Sequence, residues 1–296
     1  MGSKRKVILN NASNFAFALG QRAFLKEDVA AAERRGERLA LLWYRFDKKH
    51  RERTYRNLQM AFPDWSEEKL NETGLEVFRH FGRVTADFMR TPIRTKEEVL
   101  DAEVEGMDIL RQVHAEGKGV MIITAHYGNW ERFAHWFTVN GFTLNVVARD
   151  ANQGGVNDRV KALREAAGAN VMSRGNSARA ILGRLKVGDL VGILNDQNAG
   201  DCYVPFFGKP CGTVLGPAVL HLRTGAPLIP SYFTRLGPGK YKAKFFEPVL
   251  ADDFERDQIK ITARLNEILE GVVRENPEQW LWMHDRWKSA RQEGLL

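Results

Sequence analysis

The sequence predicts an α/β protein: a mostly parallel sheet flanked by helices, preceded by an N-terminal helical region. Three observations predict it. Short apolar runs recur from Gly119 onward, segments of helical periodicity separate them, and residues 13–60 read as helical. At 296 residues, 44% hydrophobic and 27% charged, the chain has the composition of a folded protein with a substantial core. The expected organisation is a basic, amphipathic helical region over residues 1–60 and one α/β domain over residues 61–296.

Residues 13–60 read as helical. Between positions 34 and 56 stand nine basic residues against three acidic ones. Leu39, Leu42, Trp43 and Phe46 fall at i, i+3, i+4 and i+7, an apolar stripe on a basic helix. Two readings are open: the stripe lies at a lipid interface, or it packs on the protein's own core. Residues 61–66 (AFPDWS) break the helix, and Ser66 is placed to cap a further helix that runs through Met89. Residues 120–125 (VMIITA) and 143–148 (TLNVVA) read as buried strands, as do 190–194 and 228–233. Helical segments are expected near 156–167, 176–186 and 213–224, then a hairpin within 228–249 and a helix over 256–275. Ligands of such sheets sit beyond the carboxyl ends of the strands.

The balance of Lys and Arg over Asp and Glu is +7, which suits an acidic partner: nucleic acid, anionic lipid or an acidic carrier protein. The two cysteines, Cys202 and Cys211, form neither a CxxC nor a Cys/His cluster, which argues against a disulfide framework or a zinc site. No metal or cofactor is expected. The basic first twenty residues hold an apolar stretch interrupted by Asn and Ser, and no window offers the roughly 20 apolar residues of a membrane span. An encounter with a membrane is therefore expected to be at its surface.

The segment richest in chemistry is Thr124-Ala125-His126-Tyr127-Gly128-Asn129-Trp130-Glu131. His126 stands just past a buried strand, and Glu131 falls in the first turn of the next helix. A neutral imidazole beside a carboxylate is equipped to take a proton from a hydroxyl, because the carboxylate fixes the tautomer and stabilises the imidazolium. Spacing alone is weak, since 7 His and 37 acids give about 0.9 such pairs by chance. The position at a strand end carries more weight. The rival reading is a surface His and a Glu that serves the helix dipole.

GVMIITAHYGNWE, LKVGDLVGILNDQN, VPFFGKPCGTVLGPAVLHLRTGAPLIPSYFTR and PEQWLWMHDRW, in that order, resemble the lipid A biosynthesis acyltransferase family, the bacterial late lauroyl and myristoyl transferases. The similarity runs from about Arg56 to Lys288. It implies a glycerolipid-acyltransferase-like fold. It also implies that His126 deprotonates an acceptor hydroxyl while Glu131 orients it, and that the hydroxyl attacks an acyl thioester with no acyl-enzyme. The family pattern offers Arg149 and Arg164 as the basic residue that contacts substrate, and puts Asp196 and Gln197 beside the dyad. The implied partners are an acyl-acyl carrier protein or acyl-coenzyme A donor, a glycolipid acceptor and the membrane surface. The implied location is the cytoplasmic face of the bacterial inner membrane, with peripheral or monotopic attachment. Family members usually begin with a membrane-spanning helix, which this sequence replaces with a short, interrupted apolar segment.

From their composition, Phe206-Phe207-Gly208 and the helix from Thr213 to Leu222 are candidates for an acyl channel, with core packing as the alternative. Trp280, Trp282 and Trp287 beside Arg286 and Lys288 have the makeup of a membrane-interface patch, again with core as the alternative. A serine hydrolase is disfavoured, because Arg179 stands where a Gly-x-Ser-x-Gly elbow around Ser177 needs its second glycine. Dinucleotide and P-loop glycine patterns are missing too. No nucleic-acid motif supports a nucleic-acid partner, and none is expected. The remaining alternatives are a basic binding module and acylation of another lipid: a phosphatidylinositol mannoside, an ornithine lipid or a lysophospholipid, from acyl-coenzyme A.

Overall fold

The computed structural model describes residues 17–18, 20–148, 156–173 and 177–296. A seven-stranded sheet runs through it in the order β1 (Ala102–Glu105), β9 (Lys240–Phe245), β8 (Leu228–Gly237), β2 (Val120–Thr124), β5 (Leu190–Leu194), β3 (Leu144–Ala148), β4 (Asn170–Ser173). Every neighbouring pair is parallel except β8 with β9. The expected parallel α/β architecture is the one found. All five residues of β2 are buried, as a central strand covered on both faces requires. Met121 and Ile123 face a core shared with Leu265, Leu269, Trp280 and Trp282. Ile122 faces the opposite core with Phe133, Phe137 and Phe245.

Among the described residues of the stretch 13–60 read as helical, residues 20–24 are helical and two longer helices follow, α1 (Val29–Phe46) and α2 (Lys48–Ala61). Asp47 divides them. Its backbone N–H closes the first helix on the Trp43 carbonyl, and its carboxylate caps the second by accepting from the His50 N–H at 3.0 Å. Helix α3 (Glu67–Met89) begins at the expected cap, with Ser66 Oγ accepting from the Lys69 N–H at 3.2 Å. The seam between α1 and α3 uses small residues. Gly36 and Gly82 lie so close that a Cβ on either meets the other's backbone, and Ala32 and Ala40 are buried beside them. The larger residues of α1 therefore point away: Leu39, Leu42, Trp43 and Phe46 are 54%, 55%, 41% and 75% exposed. Both readings of that stripe keep a share: Trp43 packs its ring on the buried Phe78, while Phe46 stands mostly in the open.

Helix α4 (Lys96–Leu100) precedes β1; between the strands lie α5 (Met107–Ala115), α6 (Trp130–Val139), α7 (Val156–Ala166), α8 (Ser177–Lys186) and α9 (Gly216–Thr224); α10 (Gln258–Glu275) and α11 (Lys288–Gln292) follow the sheet. A separate hairpin, β6 (Cys202–Phe206) with β7 (Lys209–Thr213), occupies ground where the sequence suggested a channel wall and the start of a helix. Phe206 and Phe207 are core residues there. Of the two readings of Trp280, Trp282 and Trp287, core packing is the one found, since all three are fully buried. No helix among the described residues is long and apolar enough to cross a membrane.

Candidate active site

The chain leaves the carboxyl end of β2 and makes one tight turn before α6, and every link of that turn is fixed. Gly128 has φ of 56°, and a Cβ there meets the Phe233 carbonyl, so the turn takes only glycine without strain. The Gly128 N–H donates to Gln279 O at 2.9 Å, and the Asn129 N–H to Phe233 O at 2.9 Å. His80, fully buried and with its pKa pushed down by burial to about 3, is neutral and donates Nε2–H to the Gly128 carbonyl at 3.0 Å. Asn129 caps α6 by accepting from the Arg132 N–H at 3.0 Å. Its Nδ2 donates to Asp87 Oδ2 at 2.7 Å, and Asp87 is itself clamped between Arg94 and Arg132. This buried polar scaffold delivers His126 and Glu131 to the same side of the turn.

His126 does not hydrogen-bond Glu131. Its Nδ1 stands 2.9 Å from Asp196 Oδ1, and its backbone N–H donates to Asp196 Oδ2 at 2.9 Å. A carboxylate only accepts, so Nδ1 carries the proton, and in the neutral imidazole Nε2 holds the lone pair. No hydrogen-bond partner of Nε2 is found among the described residues. Asp196 lies two residues past β5, the strand paired with β2, so the parallel register brings the two strand ends together. Trp280 Nε1–H donates to the same carboxylate at 3.0 Å. Asp196 is 2% exposed, while the His126 side chain keeps 21%, enough for a substrate atom to reach it. Burial works against charge on the imidazole, but the Asp196 carboxylate and its hydrogen bond outweigh it, with Glu131 adding to the field. The His126 pKa is held above its ordinary 6.5. For Asp196, burial pushes upward, yet His126 and its hydrogen bonds hold the carboxyl below the usual range.

Glu131, 8% exposed, faces Arg164 of α7 in a two-pronged pair: Arg164 Nε to Oε2 at 3.0 Å and Nη2 to Oε1 at 2.6 Å. Trp130 Nε1–H reaches Glu131 Oε1 at 3.2 Å, and the Trp130 ring packs edge-on to His126 with centroids 5.2 Å apart. Arg149 lies outside the described residues. Gln197 lines the cavity, and its carbonyl accepts from the buried Arg286 at 3.2 Å. Asn195 also lines the cavity; it is 2% exposed, and its Oδ1 has no hydrogen-bond partner. The C-terminal segment ties this loop down further: the Asn198 N–H donates to His284 Nε2 at 2.9 Å, and Ser289 Oγ donates to Asn198 Oδ1 at 2.8 Å.

His126, Glu131, Arg164, Asn195 and Gln197 open onto one cavity of about 630 Å³. That lies within the roughly 300–1,000 Å³ range of small-molecule sites. Its deeper walls are apolar: Ile122, Phe133, Phe137, Leu144 and Val146 on one face of the sheet, with Ile181, Pro217 and Leu220 on the other. Helix α9 contributes Gly216, Pro217 and Leu220 to the cavity, while Phe206 and Phe207 do not line it. Both cysteines are buried, and burial pushes the Cys211 thiol up to about 11, which leaves it unsuited to act as a nucleophile.

Sequence reasoning missed Asp87, Asn129, Asn195 and Trp280. Asn129 was legible as a helix cap. The others carry no local signal: Asp87 is joined to Asn129 and Arg132 over 42 and 45 positions, Trp280 to Asp196 over 84, and the Asn195 side-chain oxygen has no hydrogen-bond partner among the described residues.

The family described as bacterial lipid A biosynthesis acyltransferase matches residues 4–289 of this chain. The chain is similar to a lipid A biosynthesis palmitoleoyltransferase of Escherichia coli strain K12, 25% identical over 86% of this chain and 84% of that one. A lauroyltransferase of the same pathway and strain is 26% identical over 87% and 85%. A phosphatidylinositol mannoside acyltransferase of Mycobacterium tuberculosis strain CDC 1551 / Oshkosh is 26% identical over 70% and 67%.

Proposed function

The chain belongs to the bacterial lipid A biosynthesis acyltransferase family and is an acyltransferase acting on a glycolipid; from that premise we propose that it carries a fatty acyl group from a thioester to a hydroxyl of a lipid A precursor-like acceptor, with His126 as the general base. One observation carries the mechanism. The proton on Nδ1 of His126 faces Asp196, so the Nε2 lone pair is presented at the polar end of a largely apolar cavity.

In the proposed reaction, Nε2 takes the proton of the acceptor hydroxyl as its oxygen bonds to the thioester carbonyl carbon. The tetrahedral intermediate collapses with cleavage of the C–S bond, and the departing thiolate recovers the proton from the imidazolium. The product is an ester and a free thiol, with no acyl-enzyme. Asp196 fixes the imidazole tautomer. Glu131 contributes negative charge to the imidazolium and holds Arg164 in place. The Arg164 cation serves the thioester oxyanion or a substrate phosphate, and the Asn195 amide offers a neutral hydrogen-bonding group in the same cavity.

The donor we favour is acyl carrier protein, because a chain of net charge +7 attracts an acidic carrier. The site of action we propose is the cytoplasmic face of the bacterial inner membrane, reached through the exposed apolar stripe of α1 and its basic neighbours. The similarity to a phosphatidylinositol mannoside acyltransferase favours a second acceptor class, so the common requirement is a hydroxyl on a lipid-anchored sugar. Mass spectrometry of lipids from cells that express the protein, the His126→Ala variant or neither tests the proposal. The expected result is a glycolipid heavier by one acyl group only with the unmodified protein. Lipid profiles identical in all three contradict it.

A further inference from the structure

On the face of the sheet beneath α6, the strand register makes a row of Ile122 on β2, Gly192 on β5 and Val146 on β3, and all three line the cavity. The row below is Val120, Leu190 and Leu144, in which all three residues are buried to 2% exposure or less. Phe133, Ala134 and Phe137 of α6 line the cavity from above. The result is an apolar groove along β5, walled by Ile122 and Val146 and reaching Leu144 of the buried row beneath. From the level of Leu194 to the level of Leu190 it descends about 13 Å, at roughly 3.3 Å per residue.

Nothing in the backbone requires glycine at position 192. Its φ is not positive, and a Cβ there comes no nearer than 3.4 Å to Val146 Cγ1 and 3.7 Å to Leu144 Cδ1. Both are contacts that a side chain tolerates. A glycine inside a buried strand weakens it and marks a place where something else comes close to the backbone. Here that space belongs to the cavity.

We propose that Gly192 is a specificity-determining residue that sets the length of the acyl chain: the chain of the donor runs down β5 between Ile122 and Val146, passes over Gly192, and ends at the Val120–Leu190–Leu144 row. A side chain at 192 blocks the groove halfway down. This rests on the acyl-transfer reading of the same cavity.

The test compares kcat/KM for octanoyl, dodecanoyl and hexadecanoyl thioesters with one acceptor in the wild type, Gly192→Ala and Gly192→Val. Gly192→Val is expected to shift the long-to-short ratio toward the octanoyl donor by at least about 10-fold, in line with discrimination between chains in apolar pockets, and Gly192→Ala by less. Leu144→Ala, which opens the floor, is expected to shift the ratio the other way and serves if Gly192→Val does not fold. A ratio within twofold of wild type in Gly192→Val, or in Leu144→Ala where the first variant fails, overturns the proposal. A wild type that turns over no acyl thioester overturns the acyl-transfer reading itself, an outcome distinct from an unchanged ratio.

Discussion

At the scale of residues, what distinguishes His126 from His50, whose Nδ1 also meets a carboxylate, is that His126 lines the cavity. Nδ1 is bound to Asp196, while Nε2 borders a cavity. The raised pKa has a consequence for pH dependence. A base acts only when neutral, so kcat/KM is expected to fall as pH drops through a value above 6.5. Asp196→Asn removes the carboxylate charge that offsets burial, so its acid limb is expected to move to lower pH while the plateau drops by roughly two to four orders of magnitude. A pH–rate profile of the two proteins checks this, and an acid limb that moves upward in the variant contradicts it. The pairing was only half legible in the sequence. Glu131 is visible from His126 because a strand end and the next helical turn are close along the chain. Asp196 is 70 positions away: the family resemblance put it beside the dyad, but its pairing with His126 comes through the β2–β5 register, which a sequence without a structure does not display.

Among the elements, those with strong periodicity or long apolar runs were legible: β2, β3, β5, β8 and α3 stand within a few residues of expectation. Those missed were short or weakly apolar. Strand β1 reads Ala-Glu-Val-Glu with three exposed residues, β4 is four residues long, and the β6–β7 hairpin contains two prolines. The break at Asp47 was hidden because the residue serves two helices at once, ending one and capping the next. Helix α1 supplies a prediction at this scale. Its small residues are spent on the seam with α3, which leaves Leu39, Leu42, Trp43 and Phe46 outward beside Arg38, Arg45, Lys48 and Lys49. The Trp43 ring lies 4.9 Å from that of Phe78, and Phe81 on the next turn of α3 packs at 5.8 Å on Trp130, which touches His126. The stripe is therefore close to the candidate active site. Binding to anionic vesicles is expected at low ionic strength and is expected to weaken as salt rises, since screening at 0.1 M acts over about 10 Å. Leu42→Glu with Phe46→Glu is expected to reduce binding at least about tenfold. Vesicle flotation measures both, and equal binding to neutral and anionic vesicles at every salt concentration contradicts the electrostatic part.

Across the whole molecule, the sheet and the C-terminal segment act as one frame for the site. Residues from Trp280 to Ser289 hydrogen-bond the loop 196–199 from behind, and an isolated bridge joins Trp280 to Tyr127 next to His126. The three tryptophans are buried in this frame: Trp280 meets Asp196, Trp282 packs on Phe62 and Phe207, and Trp287 packs on Phe206. Net charge also acts at this scale. A chain of +7 speeds its encounter with an acidic carrier more than it tightens the complex. With acyl carrier protein as donor, kcat/KM is expected to fall markedly as ionic strength rises, and with acyl-coenzyme A to fall less. Equal or better use of acyl-coenzyme A at physiological salt contradicts the choice of donor and leaves the chemistry at His126 untouched.

The central claim is that His126 is the base for acyl transfer to a glycolipid hydroxyl. Its most direct test is the rate of ester formation by purified protein supplied with an acyl thioester and a lipid A precursor-like acceptor, compared between the wild type and a His126→Ala variant whose fold is verified by circular dichroism. The predicted result is a loss of at least about 100-fold, the lower end of what a positioned base contributes. A folded variant that retains more than about a third of the wild-type rate contradicts the claim, because no such base then takes part.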